Sequence, residues 1–282
     1  MNIRRQSILA GGLETSYLEA GPSNAEPLIL LHDGTFGSDA DSCWHELLPE
    51  FAARYRVLAP DLIGHGGTRK VVAFDRDPMT QRIDHIRAFC DTLLISAPYL
   101  VGSSFGGGMV LRGAAAGTLP VRAGVSIAGP GGLFMRSEKF AVLQAYEPTE
   151  KWSRAVCELM TGADVPQDMV TARLARSRQP GHYESLAAPR VIQPVSTAVP
   201  RDWRPAYQEA LSRTRVPLML VAGGDDELLE AGWAEEMASW LANGRAVTIP
   251  GTKHQPHLDR PGEVAKIVMD FFEALPGSTA SG

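Results

Sequence analysis

Apolar residues follow two alternating rhythms along this chain. Arg4–Leu9 and Thr15–Glu19 read as short strands separated by the turn signal Gly11-Gly12. Pro27–Leu31 is a continuous apolar run that stops at His32-Asp33-Gly34. Cys43–Tyr55 then takes up helical spacing, with Trp44, Leu47, Leu48 and Phe51 on one face. Arg56–Ala59 is a strand closed by Pro60-Asp61, and Met79–Leu94 is an amphipathic helix carrying Ile83, Ile86, Phe89 and Leu93. Tyr99–Val101 is again a strand, Met109–Ala116 continues a helix, and Val121–Ala128 is a strand ended by Gly129-Pro130-Gly131-Gly132. Such alternation predicts an α/β fold, a mostly parallel sheet with helices on both faces. Between Asp91 and Arg136 the only charges are Arg112 and Arg122, which marks the centre of the sheet.

From Phe134 to Arg215 the texture changes. Charges return, no β-branched run occurs, and prolines stand at 180, 189, 194, 200 and 205, so a helical insertion is expected. Strand and helix then alternate again through Val216–Ala222, Ala231–Leu241, Ala246–Ile249 and Val264–Leu275. These shifts divide the chain into a core of residues 1–133 and 214–275, a helical lid of residues 134–213, and a small polar tail, 276–282, expected to be disordered.

Composition narrows the function by exclusion. The 282 residues are 44% hydrophobic and 21% charged, which suits a globular protein rather than a disordered or coiled-coil chain. A net charge of −5 argues against a nucleic-acid partner, which would need a basic face. Cys43, Cys90 and Cys157 are odd in number and form no CxxC pair, so neither a disulfide framework nor a cysteine zinc cluster is expected. They suit a reducing cytoplasm. The uncharged stretch from Thr92 to Leu111 contains Pro98, Ser103, Ser104 and four glycines, a pattern for a buried strand, turn and helix rather than a bilayer span. No secretory signal is read near Arg4-Arg5, and a soluble protein without a membrane partner is expected.

The sharpest chemical signal is Gly102-Ser103-Ser104-Phe105-Gly106, a G-x-S-x-G run between an apolar strand and an apolar helix. Glycines there permit a turn tight enough to lift the Ser104 hydroxyl off the sheet. The helix that follows aims its N–H groups at a developing oxyanion. Serine is a poor nucleophile at neutral pH and needs a base that is itself held by a carboxylate. In this turn the expected chain order is serine, acid, histidine. Asp225 and Asp226 follow the strand Val216–Ala222 and compete for the acid, since adjacent side chains diverge; Asp226 is preferred. His254 follows the last strand and is the expected base, while His257 reads as a packing or supporting residue. A His254/His257 metal pair has no third ligand in sequence, so no metal is expected. The second oxyanion donor, beside the Phe105 N–H, is expected from Gly34 in the loop His32–Gly37.

LILLHDG (28–34), VLAPDLIGHGGT (57–68), GSSFGG (102–107), VAGGDDELL (221–229) and GTKHQPHLDRPGEV (251–264) together resemble the α/β-hydrolase fold. The resemblance implies an eight-stranded sheet, a helical lid after the sixth strand, and Asp226 rather than Asp225 as the acid. Within that superfamily the chain is similar to hydrolases that split carbon–carbon bonds in meta-cleavage products of aromatic degradation. The similarity lies in the long loop from His32 to Trp44, in Thr68, and in the lid segment 171–186. It implies Arg173, with Arg176 second, as the holder of a substrate carboxylate. It also places Ser103, Cys43 and Gln255 on the substrate pocket, where the family usually carries asparagine, asparagine and tryptophan.

The reading is a cofactor-free serine hydrolase acting on a small carbonyl compound. Its bond is a carbon–carbon bond of a 2-hydroxy-6-oxo-dienoate or related diketone, or alternatively that of a small ester or lactone. Serine in place of aspartate at the turn argues against dehalogenase and epoxide hydrolase chemistry. A non-catalytic ligand-binding protein on this fold is the rival from another class. A dinucleotide enzyme is rejected, since no G-x-G-x-x-G follows a first strand and no GK[ST] occurs. An apolar lid face would allow a homodimer.

Overall fold

The computed structural model describes residues 2–74, 76–162, 164–191 and 203–276. In chain order the elements are β1 (Arg4–Ala10), β2 (Leu13–Ala20), β3 (Pro27–Leu31), α1 (Ala40–Trp44), α2 (Leu48–Ala52), β4 (Arg56–Pro60), α3 (Pro78–Thr92), β5 (Tyr99–Ser103), α4 (Phe105–Ala116) and β6 (Ala123–Ile127). The insertion contributes α5 (Ser137–Gln144), α6 (Glu150–Met160), α7 (Gln167–Ser177), α8 (His182–Val191) and α9 (Arg204–Arg213). The core resumes with β7 (Leu218–Gly223), α10 (Trp233–Trp240), β8 (Gly244–Ile249), α11 (Pro256–Asp259) and α12 (Pro261–Glu273). Residues 192–202 of the expected lid, with two of its prolines, and residues 277–282 of the expected tail lie outside the described residues.

All eight strands form one sheet in the order β1-β2-β4-β3-β5-β6-β7-β8. β1 pairs antiparallel with β2 and β2 with β4; every later pairing is parallel, as the α/β alternation predicts. The pleat divides each central strand between two cores. Ile29 and Leu31 of β3 pack with α3, α4, α9 and α10, whereas Leu28 and Leu30 pack with α1, α2 and α12. A third cluster joins Phe36 of the loop after β3 to Trp152, Val156 and Met160 of α6. Helices α5, α6 and α8 supply this cluster, whereas α9 lays Tyr207 and Leu211 into the core beside α4.

One expected element differs. The helical face Cys43–Tyr55 folds as two short helices, α1 and α2, although Trp44, Leu47, Leu48 and Phe51 are all fully buried. Pro49 explains the break: it has no N–H, and its ring would collide with the carbonyl of His45 in a continuous helix.

Strand order reverses between β3 and β5, and open α/β sheets form their crevice where the order reverses. The C-terminal ends of β3 and β5 face each other there. Their separation is set by Gly106 in the first turn of α4, where a Cβ would lie 2.2 Å from the Leu31 carbonyl oxygen. Helix α4 can therefore press on β3 only with glycine at that position. Gly106→Ala is expected to lower stability by about 1–3 kcal/mol through overpacking. Urea denaturation followed by circular dichroism checks this, and an unchanged midpoint would contradict the close approach.

Candidate active site

Ser104 ends β5 and opens α4 with φ 52° and ψ −112°, a left-handed conformation that a non-glycine residue occupies at a cost of about 1–3 kcal/mol. It is locked by a 2.7 Å bond from its N–H to the Ile127 carbonyl and a 2.9 Å bond from Gly108 N–H to its own carbonyl. The side chain is thereby raised from the sheet. Its Oγ lies 2.9 Å from His254 Nε2, and His254 Nδ1 lies 2.8 Å from Asp226 Oδ2. The carboxylate can only accept, so Nδ1 carries the proton and Nε2 is free to accept from the serine hydroxyl. The other carboxylate oxygen accepts from Leu228 N–H at 2.8 Å, which fixes the plane of Asp226. The His254 and Asp226 side chains are 1% and 4% exposed. Asp225, its neighbour, is exposed.

Gly34 and Phe105 meet across the β3–β5 crevice. A Cβ on Gly34 would stand 2.9 Å from Phe105 Cβ, so glycine is what lets this loop come up to the start of α4.

Behind that loop lies a buried polar network that the sequence did not announce. Asp33 is 1% exposed; its Oδ1 accepts from Thr35 N–H at 2.9 Å and from the Thr35 hydroxyl. Its Oδ2 accepts from Ser38 Oγ at 2.7 Å and from Gln255 Nε2 at 3.0 Å. Burial alone would raise the Asp33 pKa. The charge of Arg173 and the Thr35 and Ser38 hydroxyls outweigh it and hold Asp33 below the ordinary carboxylate value. Arg173, 5% exposed, donates to Thr35 Oγ1 at 2.8 Å and to the Phe36 carbonyl at 3.0 Å. Arg176 reaches the Gly37 carbonyl at 2.8 Å. Cys43 Sγ lies 3.4 Å from Nε2 of His257, whose ring packs on Trp44. Burial first and the Asp33 charge second push the Cys43 thiol well up, so it is an un-ionised packing group. Ser103, the neighbour of the raised serine, is fully buried.

In front of Ser104 a cavity of about 450 Å³ is walled by Met79, Phe105, Gly108, Met135, Phe140, Trp203 and Leu229. Its two charged residues are both engaged. Asp77 caps α3 through Met79 N–H and Thr80 N–H at 3.0 Å. Arg112 donates to the Gly131 carbonyl at 2.7 and 3.1 Å and stacks on the Trp203 ring, 4.5 Å away. The structure thus brings Ser104, Asp226, His254, Gly34 and Phe105 together. Among the described residues, the lining of this cavity does not include Arg173, Ser103, Cys43 or Gln255, which lie in or against the network behind it. The hydrophobic wall is assembled from Met79, Phe105, Met135, Phe140, Trp203 and Leu229, and apart from Phe105 these residues carry no sequence signal. For Asp33 the sequence holds only a faint signal: a carboxylate two residues beyond an all-apolar strand, with hydroxyls two and five residues further on.

Comparison with known proteins gives the same frame. The sequence model of the Alpha/beta hydrolase family matches residues 28–267. The chain is 26% identical over 280 residues to 2-hydroxymuconate semialdehyde hydrolase of Pseudomonas sp. (strain CF600), covering 98% of this chain and 96% of that one. It is 29% identical over 269 residues to 2-hydroxy-6-oxo-2,4-heptadienoate hydrolase of Pseudomonas putida F1, covering 95% of each. Its fold superposes on a meta-cleavage product hydrolase from Pseudomonas fluorescens IP01 with a TM-score of 0.82 at 22% identity, over 95% of this chain and 97% of that one. No helix among the described residues is long and apolar enough to cross a membrane.

The loops that carry the site are tied to the lid by neutral histidines. His182 of α8 accepts from Gly37 N–H at 2.9 Å and donates to the Gly64 carbonyl at 2.8 Å. His65 packs edge-on against His182 and donates to the Ser38 carbonyl at 2.9 Å. Burial is the leading cause that lowers His182 and His85 from 6.5 to about 4, His257 to about 3, and His65 well below 6.5. Each stays neutral when folded while its unfolded counterpart protonates below pH about 6.5. Between pH about 6.5 and 4 the unfolded chain binds more protons, so this stability is whole above 6.5 and is lost as pH falls. For His182 the loss is up to about 3 kcal/mol. The urea midpoint is expected to drop steeply from pH 7 to 4.5, with a shallower slope in His182→Gln; a flat wild-type profile would contradict it.

Proposed function

The chain belongs to the α/β hydrolase family, and from that premise we propose that it is a serine-dependent hydrolase of small carbonyl compounds, with Ser104 as nucleophile, His254 as general base and acid, and Asp226 as the group that orients and steadies the imidazolium. The observation that carries the reading is the continuous buried line from Asp226 through His254 to the raised Ser104 hydroxyl, with bonds of 2.8 and 2.9 Å. His254 takes the serine proton as Oγ bonds to the substrate carbonyl carbon. The N–H groups of Gly34 and Phe105 receive the oxyanion, with the dipole of α4 behind Phe105. Collapse of the tetrahedral intermediate breaks the bond to the leaving group, which takes its proton from His254. Water, deprotonated by the same imidazole, then attacks the acyl-serine and releases the acid.

For the leaving group, the relatives named above favour carbon: a conjugated dienol is first protonated on carbon to its keto form, with His254 moving the proton, so that the bond to the carbonyl breaks to an enolate, which is then protonated. Ester or lactone cleavage is the second reading. It is favoured by Arg173 being engaged by Thr35 and Phe36 beside Asp33, and by the apolar wall before Ser104. No step requires a cofactor.

A fluorophosphonate is expected to label the wild-type protein and not Ser104→Ala. That variant should keep its circular dichroism while losing about 10⁴-fold or more in kcat/KM. Asp226→Asn should lose a comparable factor through the wrong histidine tautomer. A folded, active Ser104→Ala would remove the nucleophile assignment. Rates on a panel of ring-cleavage dienoates, diketones, aryl esters and lactones decide the leaving group.

A further inference from the structure

We propose that Asp33 is a built-in counter-ion for Arg173 within the protein, so that this site selects uncharged carbonyl substrates and rejects those whose acyl chain carries a carboxylate. The inference rests on the hydrolase reading and adds the class of substrate. Arg173 is a cation with a ready-made neighbour. Its guanidinium is fixed by Thr35 Oγ1 and the Phe36 carbonyl, and the same Thr35 hydroxyl donates to Asp33. Asp33 receives bonds from Thr35, Ser38 and Gln255 and has no contact with solvent to dilute its charge. The threonine therefore bridges a buried anion and a buried cation, and the pair is neutral as a unit.

Asp33 directly precedes Gly34, and Gln255, which donates to Asp33, directly follows His254, so the network is joined through the backbone to both the Gly34 loop and the histidine. A substrate carboxylate brought there adds a second anion to one already unable to leave, in a region with little water to screen it. What the network leaves unused is also ill suited to an anion: Arg173 Nε has no partner among the described residues, but neither does the Gln255 amide oxygen, which repels a carboxylate. In front of Ser104 the wall is apolar, and the one arginine on it, Arg112, is spent on the Gly131 carbonyl and the Trp203 ring. An uncharged acyl chain meets no such penalty on either side.

The test uses matched esters of one length, p-nitrophenyl butyrate and mono-p-nitrophenyl succinate, with the full-length protein. Wild type is expected to favour the butyrate at least about a hundredfold in kcat/KM, as for an uncompensated buried charge. Asp33→Asn frees the Arg173 charge at almost constant shape and should narrow that ratio by about tenfold or more. Asp33→Asn combined with Arg173→Met should widen it again. Calorimetry on the wild type, comparing 4-phenylbutan-2-one with 4-phenylbutanoate, reads the same selection without turnover: the ketone binds and the acid does not. Equal use of both esters by wild type, equal binding of ketone and acid, or a folded Asp33→Asn with an unchanged ratio would overturn the proposal. Discrimination in calorimetry with no hydrolysis of either ester would uphold it and instead remove the hydrolase reading.

Discussion

A steric constraint at one residue organises the rest of this molecule. Ser104 must turn from strand to helix in a single step, and it does so in a backbone conformation that side-chain-bearing residues avoid. Such a conformation persists only when its surroundings overdetermine it. Here Ile127 and Gly108 hold the serine backbone from both sides, and Gly106 lets α4 lie directly on the end of β3. Because the helix starts so close to β3, the Phe105 side chain lies directly against Gly34. The strain at one position thus goes together with the close approach of the Gly34 loop to the start of α4.

Behind this turn the protein keeps charge where most proteins keep hydrocarbon. Asp33 and Arg173 are buried and joined through the Thr35 hydroxyl, so neutralising one leaves the other a buried charge without its counterpart, which is destabilising. The network also spans the division between core and insertion, since Asp33 comes from the core and Arg173 from α7. Its rigidity therefore fixes the lid as well as the loop.

The alternation of apolar runs made the sheet, its two helical layers and the insertion legible, because a buried parallel strand has a continuous hydrophobic signature. The order of Ser104, Asp226 and His254 was legible for a related reason: each follows directly on such a strand, and strand ends of a parallel sheet share one edge. The single helix expected over Cys43–Tyr55 failed because periodicity reports which side is buried and not whether the backbone can continue past Pro49. Most of the cavity wall was silent, since Met79, the Met135–Phe140 segment, Trp203 and Leu229 come from stretches far apart in sequence that share no pattern. The orientation of Arg173 was likewise beyond reach of the sequence alone. Its partner is chosen by the packing of α7 on the loop after β3, 138 positions away at Thr35.

Phe36 gives this arrangement a mechanical side. Two residues beyond Gly34, it is stacked 4.5 Å from Tyr146 and packed with Trp152 inside the insertion. Tyr146 lies between α5 and α6 and Trp152 within α6, so an outward displacement of that segment would be transmitted to the loop that carries Gly34. The insertion and the loop beside Ser104 are thus mechanically coupled through one aromatic side chain, and whatever steadies the one steadies the other.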